Sequence, residues 1–168
     1  PKKQLLTQRL KRFGLLKVFG QILFMAYNRI LLIKQSQKRI NEIKHQNNLN
    51  DENIDESIVL KVSSVNCYET KKILEEYQPD VVVVNGTRII KKEIIETIDA
   101  PFVNTHVGIT PKYRGAHGGY WALTENDIEH CGVTVHLIDT GIDTGGILYQ
   151  DVIEITDKDT FNTYPYLQ

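Results

Sequence analysis

The sequence has few cysteines and lacks the short motifs that mark metal, nucleotide and disulfide sites. Cys67 and Cys131 lie far apart and form no C-x-x-C pair, which excludes a disulfide framework and a cysteine-based zinc site. The histidines show no H-E-x-x-H or similar spacing, so no metal site is predicted. No G-x-G-x-x-G and no G-x-x-x-x-G-K-[ST] occurs, which excludes a dinucleotide fingerprint and a P-loop. This pattern fits a protein of the reducing cytoplasm.

Acidic residues are almost missing from the first 50 residues. This segment holds eleven Lys and Arg but one acid, Glu42, whereas residues 51–168 hold nine basic and twenty acidic residues. We therefore divide the chain into a basic, apolar helical segment, residues 1–50, and an orderly core, residues 51–168. With 41% hydrophobic and 24% charged residues, the chain can form one globular domain.

Long uncharged apolar runs are absent as well. The longest in the basic segment, residues 18–28, has eleven residues, short of the roughly twenty that span a bilayer. With no small-residue cleavage site after it, we expect neither a transmembrane helix nor a signal peptide. Three interpretations of the basic segment remain. It is a helix packed on the domain or on a partner, a basic face that lies on an anionic membrane through residues 9–34, or an arm that binds nucleic acid. The apolar density favours packing, and nucleic-acid binding is not expected.

From Asn50 onward, apolar residues alternate between strand and helix spacing. The β-branched run at residues 81–84 is typical of a parallel strand covered on both faces. Such alternation predicts an α/β fold with a doubly wound, mostly parallel, Rossmann-like sheet that binds its ligand at the carboxyl ends of the strands. Predicted strands are residues 57–62, 81–84, 101–106, 133–138 and an edge strand at 147–153; predicted helices are residues 66–78, capped by Asn66, then 90–98, 119–126 and 159–167.

Two polar strand ends carry the candidate site. Asn104 and His106 are two residues apart, so both side chains project to the same side of a strand. An amide beside an imidazole can hold a developing oxyanion and exchange a proton. An N-x-H pair alone is more often an ordinary strand end. A second strand, however, ends in an acidic, glycine-rich turn that brings Asp143 toward the same mouth.

Three motifs together resemble the folate-dependent formyltransferase family, which includes glycinamide ribonucleotide, methionyl-tRNA and sugar-amine formyltransferases. They are Asn104-x-His106, Pro-Lys-Tyr-Arg-Gly at residues 111–115 and Ile-Asp-Thr-Gly at residues 142–145. The resemblance covers about residues 80–151. It implies catalysis by Asn104, His106 and Asp143, with 10-formyltetrahydrofolate as co-substrate and no metal. It also implies two turns around the pterin ring, formed by Gly86, Thr87, Arg88, Ile89 and Ile90 and by Ile138, Asp139, Thr140, Gly141 and Ile142.

The implied reaction is formyl transfer to the primary amine of a small acceptor, with an amino sugar preferred. Attack by an amine gives a tetrahedral intermediate with an anionic oxygen and a cationic nitrogen. Asn104 and protonated His106 would stabilise the oxygen, and Asp143 would hold the imidazole charged and relay the proton. The alternatives are hydrolysis of formyltetrahydrofolate by a deformylase, methionyl-tRNA formylation, and a non-catalytic scaffold. The sequence also allows the chain to form a homo-oligomer.

Several positions depart from the family pattern. Gly108 and Thr110 stand where many relatives carry serine and leucine, and Thr87 replaces a bulkier apolar residue. We expect Tyr120 and Trp121 to face the core, a platform for a sugar ring being the alternative. The histidines other than His106 are expected to be ordinary, with His117 left open; these are His45, His117, His130 and His136.

Since the sequence opens at Pro1 and stops at Gln168 inside a predicted helix, we expect it to be incomplete at both ends.

Overall fold

The computed structural model describes residues 10–168, which form two compact units. The first comprises residues 10–49 and Thr156–Tyr166, and the second comprises Asn50–Ile155 with Leu167–Gln168.

The first unit is built on one long helix. Helix α1 (Leu15–Tyr27) continues through a π-helical turn (Asn28–Leu32) into helix α2 (Ile33–Gln46). Apolar residues one turn apart on α2, Ile40 and Ile43, are buried, as expected of side chains that share a helix face.

The segment Thr156–Tyr166 is held to α2 by polar contacts. Arg39 Nε donates to Asp159 Oδ1 over 2.9 Å, and the hydroxyls of Ser36 and Thr160 lie 2.8 Å apart. The predicted helix over residues 159–167 is wrong, since the segment forms only a 3₁₀ turn, Tyr164–Tyr166. Side-chain oxygens bond the local backbone instead, as when Thr160 N donates to Thr163 Oγ1 over 2.6 Å, and such bonds compete with a helix.

Helix α1 exposes most of its apolar side chains. Leu16 is 85% exposed and Met25 64%, and Ile30 in the following π-helical turn is 62% exposed. The continuous helix Leu15–Gln46 is long and apolar enough to cross a membrane by length and composition, and 6% of its most apolar stretch is buried. The eleven-residue uncharged run therefore does not by itself exclude a span, and the absence of a transmembrane helix stays a prediction. Spans tolerate a few basic side chains near their ends, because long stems carry the charge to the interface.

The second unit contains a mixed four-stranded sheet. Strands β1 (Val82–Val84), β2 (Phe102–His106), β3 (Gly132–Leu137) and β4 (Ile147–Val152) lie in that order. The α/β class and the edge position of the last strand are confirmed. The pairing differs from the expected mostly parallel sheet: β1–β2 is parallel, whereas β2–β3 and β3–β4 are antiparallel. The loop between β3 and β4 is too short for the crossover that parallel strands require.

Three short helices accompany the sheet: α3 (Tyr68–Tyr77), α4 (Lys92–Ile95) and α5 (Gly118–Thr124). The core cluster joins the start of β2 to the α4 region through three buried residues, Ile90, Ile94 and Phe102. This packing fixes the segment between β1 and β2 against the sheet.

Two sequence predictions before β1 were wrong. Residues 57–62 form no strand, and a 3₁₀ turn, Glu56–Ile58, lies at their start. Asp55 accepts from Ser57 N over 2.9 Å, a local bond that favours a turn. Asn66 does not cap α3, because Cys67 holds that position. The Asn66 amide instead donates to the Ile89 carbonyl over 2.9 Å, and this bond stabilises the turn after β1.

The ion pair of Asp159 predicts a pH-dependent stability. Burial alone would raise the pKa of this carboxyl, but Arg39 and the hydroxyl and N–H of Thr156 hold the pKa at about 2. The unfolded value is about 3.9, so the stabilisation is complete above that pH and is lost as pH falls toward 2. Between pH 5 and 2 we expect wild type to lose about 2 kcal/mol more unfolding free energy than Asp159→Asn.

Denaturant unfolding at each pH measures this difference. Asp157→Asn is the matched control, since Asp157 is exposed and two residues away. An Asp159→Asn profile parallel to that of wild type would contradict the assignment.

Candidate functional site

Four polar side chains share one face of the sheet at the β2–β3 pair. Asn104 and His106 are two apart on β2, and the register places His136 opposite Asn104 and Thr134 opposite His106. Residues directly opposite on antiparallel strands have neighbouring side chains on one face. His106 is 6% exposed, His136 3% and Thr134 0%, so these three side chains are buried and need hydrogen-bond partners, whereas Asn104 is partly exposed.

Asp143, in the loop between β3 and β4, brings these side chains together. Its Oδ2 accepts from Gly115 N over 2.7 Å and lies 3.5 Å from His106 Nδ1. Its Oδ1 lies 3.5 Å from His136 Nε2, and His136 Nε2 lies 3.2 Å from Asn104 Nδ2. The three residues predicted to be catalytic therefore lie within one connected group, although Asp143 is 39 positions beyond Asn104.

Both ring nitrogens of His106 face acceptors. Nε2 donates to the Tyr113 carbonyl over 2.6 Å, and Nδ1 faces the Asp143 carboxylate. An imidazole that donates from both nitrogens is the doubly protonated cation, so this environment suits an imidazolium paired with a carboxylate.

The loop that supplies Tyr113 is anchored by carboxylates. The Tyr113 hydroxyl donates to Asp127 Oδ2 over 2.8 Å and lies 2.9 Å from Glu125 Oε2. Burial, followed by these two carboxylates, raises the pKa of Tyr113 well above its usual value. Lys112 and then His130 hold the pKa of Asp127 well below its usual value. This network sets where the Tyr113 carbonyl meets His106.

A cleft of about 220 Å³ opens beside this group. Residues 86–90 line one side, and Ile138, Asp139, Gly141 and Ile142 line the other, so nine of the ten residues predicted to surround the co-substrate border it. Thr140 and His106 are not among its lining residues, whereas Asn104, His136 and Asp143 are.

The side chain of Asp139 shapes the second turn. Its Oδ1 accepts from Thr144 Oγ1 over 2.6 Å and from Gly141 N over 2.9 Å. These two donors, the hydroxyl first, hold the pKa of Asp139 below its usual value. Asp139 is thus an ionised turn residue with its acceptors directed into its own loop.

Gly108 and Thr110, which depart from the family pattern, both have packing roles. A Cβ at Gly108 would lie 2.7 Å from the Tyr113 carbonyl oxygen and 2.9 Å from His106 Nε2. Thr110 is buried, and its N–H donates to Thr134 Oγ1 over 3.1 Å. Glycine at position 108 therefore allows the close bond between His106 and Tyr113.

Helix α5 presents aromatic side chains to solvent. Trp121 is 50% exposed and Tyr120 39%, with ring centroids 5.2 Å apart, so the prediction that they face the core was wrong. The buried face of α5 is made by Gly118, Gly119 and Ala122, small residues that let the helix lie close to the sheet. His117, exposed and with a left-handed φ of 63°, precedes the helix.

His136 is the residue that sequence reasoning missed. Its place in the site follows from the antiparallel register that sets it opposite Asn104. A mostly parallel sheet does not predict that register. The available signal was the short loop from β3 to Asp143, which keeps the end of β3 near the carboxylate.

The packing at Gly108 predicts opposite effects for two glycine substitutions. Gly108→Ala should lower the unfolding free energy by about 1–3 kcal/mol, because the methyl group overlaps backbone and the His106 ring. Gly20→Ala should raise it by up to about 1 kcal/mol, because Gly20 lies within α1 with no atom within 4 Å of an added Cβ. Equilibrium denaturation measures both. Gly108→Ala as stable as wild type would refute the close packing.

The chain is similar to known formyltransferases in sequence. The formyl transferase family matches residues 25–165. A methionyl-tRNA formyltransferase of Kosmotoga olearia is 37% identical over 106 residues, which cover 62% of this chain and 34% of that protein. A methionyl-tRNA formyltransferase of Thermodesulfovibrio yellowstonii is 41% identical over 93 residues, 55% of this chain and 30% of that protein. The chain thus spans about a third of the length of these curated relatives.

Solved structures share the fold. A phosphoribosylglycinamide formyltransferase from Bacillus halodurans matches with a TM-score of 0.51 at 33% identity, covering 58% of this chain and 50% of that chain. A sugar N-formyltransferase from a Shewanella species matches with a TM-score of 0.51 at 26% identity, covering 61% of this chain and 41% of that chain.

Proposed function

Since the chain belongs to the formyl transferase family, we propose that it transfers a formyl group from 10-formyltetrahydrofolate to a primary amine. The observation that carries this proposal is the Asp143 carboxylate, which borders the cleft and lies 3.5 Å from a nitrogen of each of two buried histidines. A carboxylate placed between imidazoles in a cleft suits proton transfer.

The cleft suits a flat heterocyclic ring. Its walls combine apolar side chains, such as Ile90 and Ile142, with the backbone of two turns. Apolar walls with a few fixed polar groups are the usual lining of small-molecule sites. We propose that the pterin ring binds between residues 86–90 and residues 138–142, with the formyl group directed toward Asn104 and Asp143.

In the proposed reaction, the amine nitrogen bonds to the formyl carbon and the carbonyl oxygen becomes anionic. The Asn104 amide donates to that oxygen. The Asp143 carboxylate accepts the proton that the attacking nitrogen loses. The carbonyl then re-forms as the C–N bond to the folate breaks, and the folate nitrogen takes up the proton that Asp143 accepted. His106 acts beside Asp143: its Nδ1 faces the carboxylate at 3.5 Å, and the ring as an imidazolium adds positive charge beside the developing oxyanion.

For the acceptor we propose an amino sugar. Tyr120 and Trp121 are half-exposed on α5, which begins three residues after Gly115, the residue that donates to Asp143. Aromatic faces with a polar edge suit the mixed surface of a sugar ring. The Shewanella relative is a sugar N-formyltransferase. A second candidate acceptor is methionyl-tRNA, favoured by the identity of 37% and 41% to methionyl-tRNA formyltransferases.

Substitution of the catalytic group tests the chemistry. Asn104→Ala, His106→Ala and Asp143→Ala should each lower turnover by about 10²–10³, because each removes a donor, charge or proton acceptor at the reacting atoms. Loss of the formyl donor is measured with purified protein whose fold is verified by circular dichroism. Asp157→Asn, an exposed substitution in the other unit, is the control. Turnover near that of wild type in folded Asp143→Ala would refute the proposal.

The same assay separates the alternative functions. Turnover with amino-sugar nucleotides but not with methionyl-tRNA supports the proposed acceptor, and the reverse result supports the second candidate. Formate released without any amine indicates a deformylase. Absence of folate binding by titration indicates a scaffold.

We propose that residues 9–34 contact an anionic membrane surface in the cytoplasm. Of these residues, Arg9 lies outside the part of the chain that the structure describes. The exposed apolar side chains of α1 and the excess of basic residues support this proposal. The free thiols of Cys67 and Cys131 fit a reducing compartment.

Co-sedimentation with anionic vesicles should show binding at low salt that weakens as salt screens the charges. Neutral vesicles are the control. A protein that stays in the supernatant with anionic vesicles at low salt would exclude this contact.

A further inference from the structure

His136 contacts two of the three proposed catalytic residues through one nitrogen. Nε2 lies 3.2 Å from Asn104 Nδ2 and 3.5 Å from Asp143 Oδ1. Nδ1 lies 2.7 Å from the carbonyl oxygen of Leu137. The ring is 3% exposed, so these contacts are made away from bulk water. The first two lie at the cleft and the third lies within the strand backbone.

The contact with Leu137 decides the tautomer of His136. A carbonyl oxygen only accepts hydrogen bonds, so Nδ1 carries a proton. In the neutral ring, Nε2 is then an acceptor with its lone pair directed at Asn104. The partner that satisfies this lone pair is an amide N–H and not an amide oxygen. The neutral Nδ1–H tautomer therefore sets which end of the Asn104 amide faces His136.

This orientation has a consequence for Asn104. One N–H of the Asn104 amide donates to His136, and its second N–H remains on the same nitrogen, at the border of the cleft. If the amide were turned by half a rotation, its oxygen would face the lone pair of Nε2 and no donor would remain at that position. An oxyanion requires a donor there.

The neutral ring also affects Asp143. Because Nε2 without a proton cannot donate, it forms no hydrogen bond to Oδ1. Among the described residues, Gly115 N donates to Oδ2, and the carboxylate's other oxygen receives no hydrogen bond. Oδ1 therefore keeps its capacity to accept a proton. A protonated His136 would donate to Oδ1 and would no longer accept from Asn104.

We propose that His136 is a positioning residue, which as the neutral Nδ1–H tautomer orients the Asn104 amide as a donor and leaves Asp143 Oδ1 available to the amine proton. This inference rests on the proposed function. His136 acts through its two neighbours and needs no contact with the substrate.

Two variants separate the acceptor role of Nε2 from the volume of the ring. His136→Phe keeps an aromatic ring but removes the acceptor, and we expect kcat to fall by about 10 to 10² with little change in KM for the folate, since a displaced group costs this much. His136→Gln can present an amide oxygen to Asn104 and should recover much of the loss. His45→Phe is the control, because His45 is exposed at the end of α2. Equal losses in Phe and Gln variants that fold would overturn the proposal.

A double-mutant cycle tests whether His136 acts through Asn104. If it does, His136→Phe should lower kcat much less in an Asn104→Ala background than in wild type, because the orientation it provides has no target there. A merely structural role predicts independent losses that multiply. Full multiplication of the two losses would overturn the proposal.

The tautomer is measured without any activity. Nitrogen NMR of the histidine rings should show His136 protonated at Nδ1 alone at neutral pH, and the Nε2 signal should shift in Asn104→Ala. A His136 ring protonated at Nε2 would overturn the inference, even in an active enzyme. If no amine is formylated but the NMR result holds, the proposed function fails while the arrangement of His136 and Asn104 stands.

Discussion

The arrangement depends on the pairing of the Asp143 carboxylate with Gly115 N over 2.7 Å. A mostly buried carboxylate needs hydrogen bonds to offset its lost hydration. Gly115 can reach it only if the loop of residues 111–115 folds over the β3–β4 loop. Arg114 secures the same closure by donating to the Asp143 carbonyl over 3.0 Å. Once the loop is closed, the Tyr113 carbonyl is in place to hold His106.

The antiparallel pairing of β2 with β3 supplies the second constraint. It sets His136 beside Asn104 and Thr134 beside His106, so each of the two proposed catalytic side chains on β2 has a buried polar neighbour. Thr134 donates to the Gly108 carbonyl over 2.7 Å and accepts from Thr110 N. The loop that follows His106 is therefore bonded to β3, and its glycine at position 108 meets the ring closely because no side chain intervenes.

Local patterns in the sequence predict the elements well where burial on the sheet agrees with propensity. The β-branched run gives β1, and the two-residue spacing of Asn104 and His106 gives their common face. Predictions were wrong at residues 57–62 and at Trp121. In the first, an aspartate side chain bonds the backbone and a turn forms. In the second, glycines and alanine occupy the buried face of a short helix and leave the large ring outside.

The sequence by itself determined the polar strand ends, the two turns beside the cleft and the formyl transferase family, because these depend on residue type and short spacing. The tertiary structure decided that His136 joins the group and that His106 is enclosed between Tyr113 and Asp143. These contacts join residues 7 to 37 positions apart. They form only when strand register and loop closure bring the partners together, and no local pattern encodes that geometry.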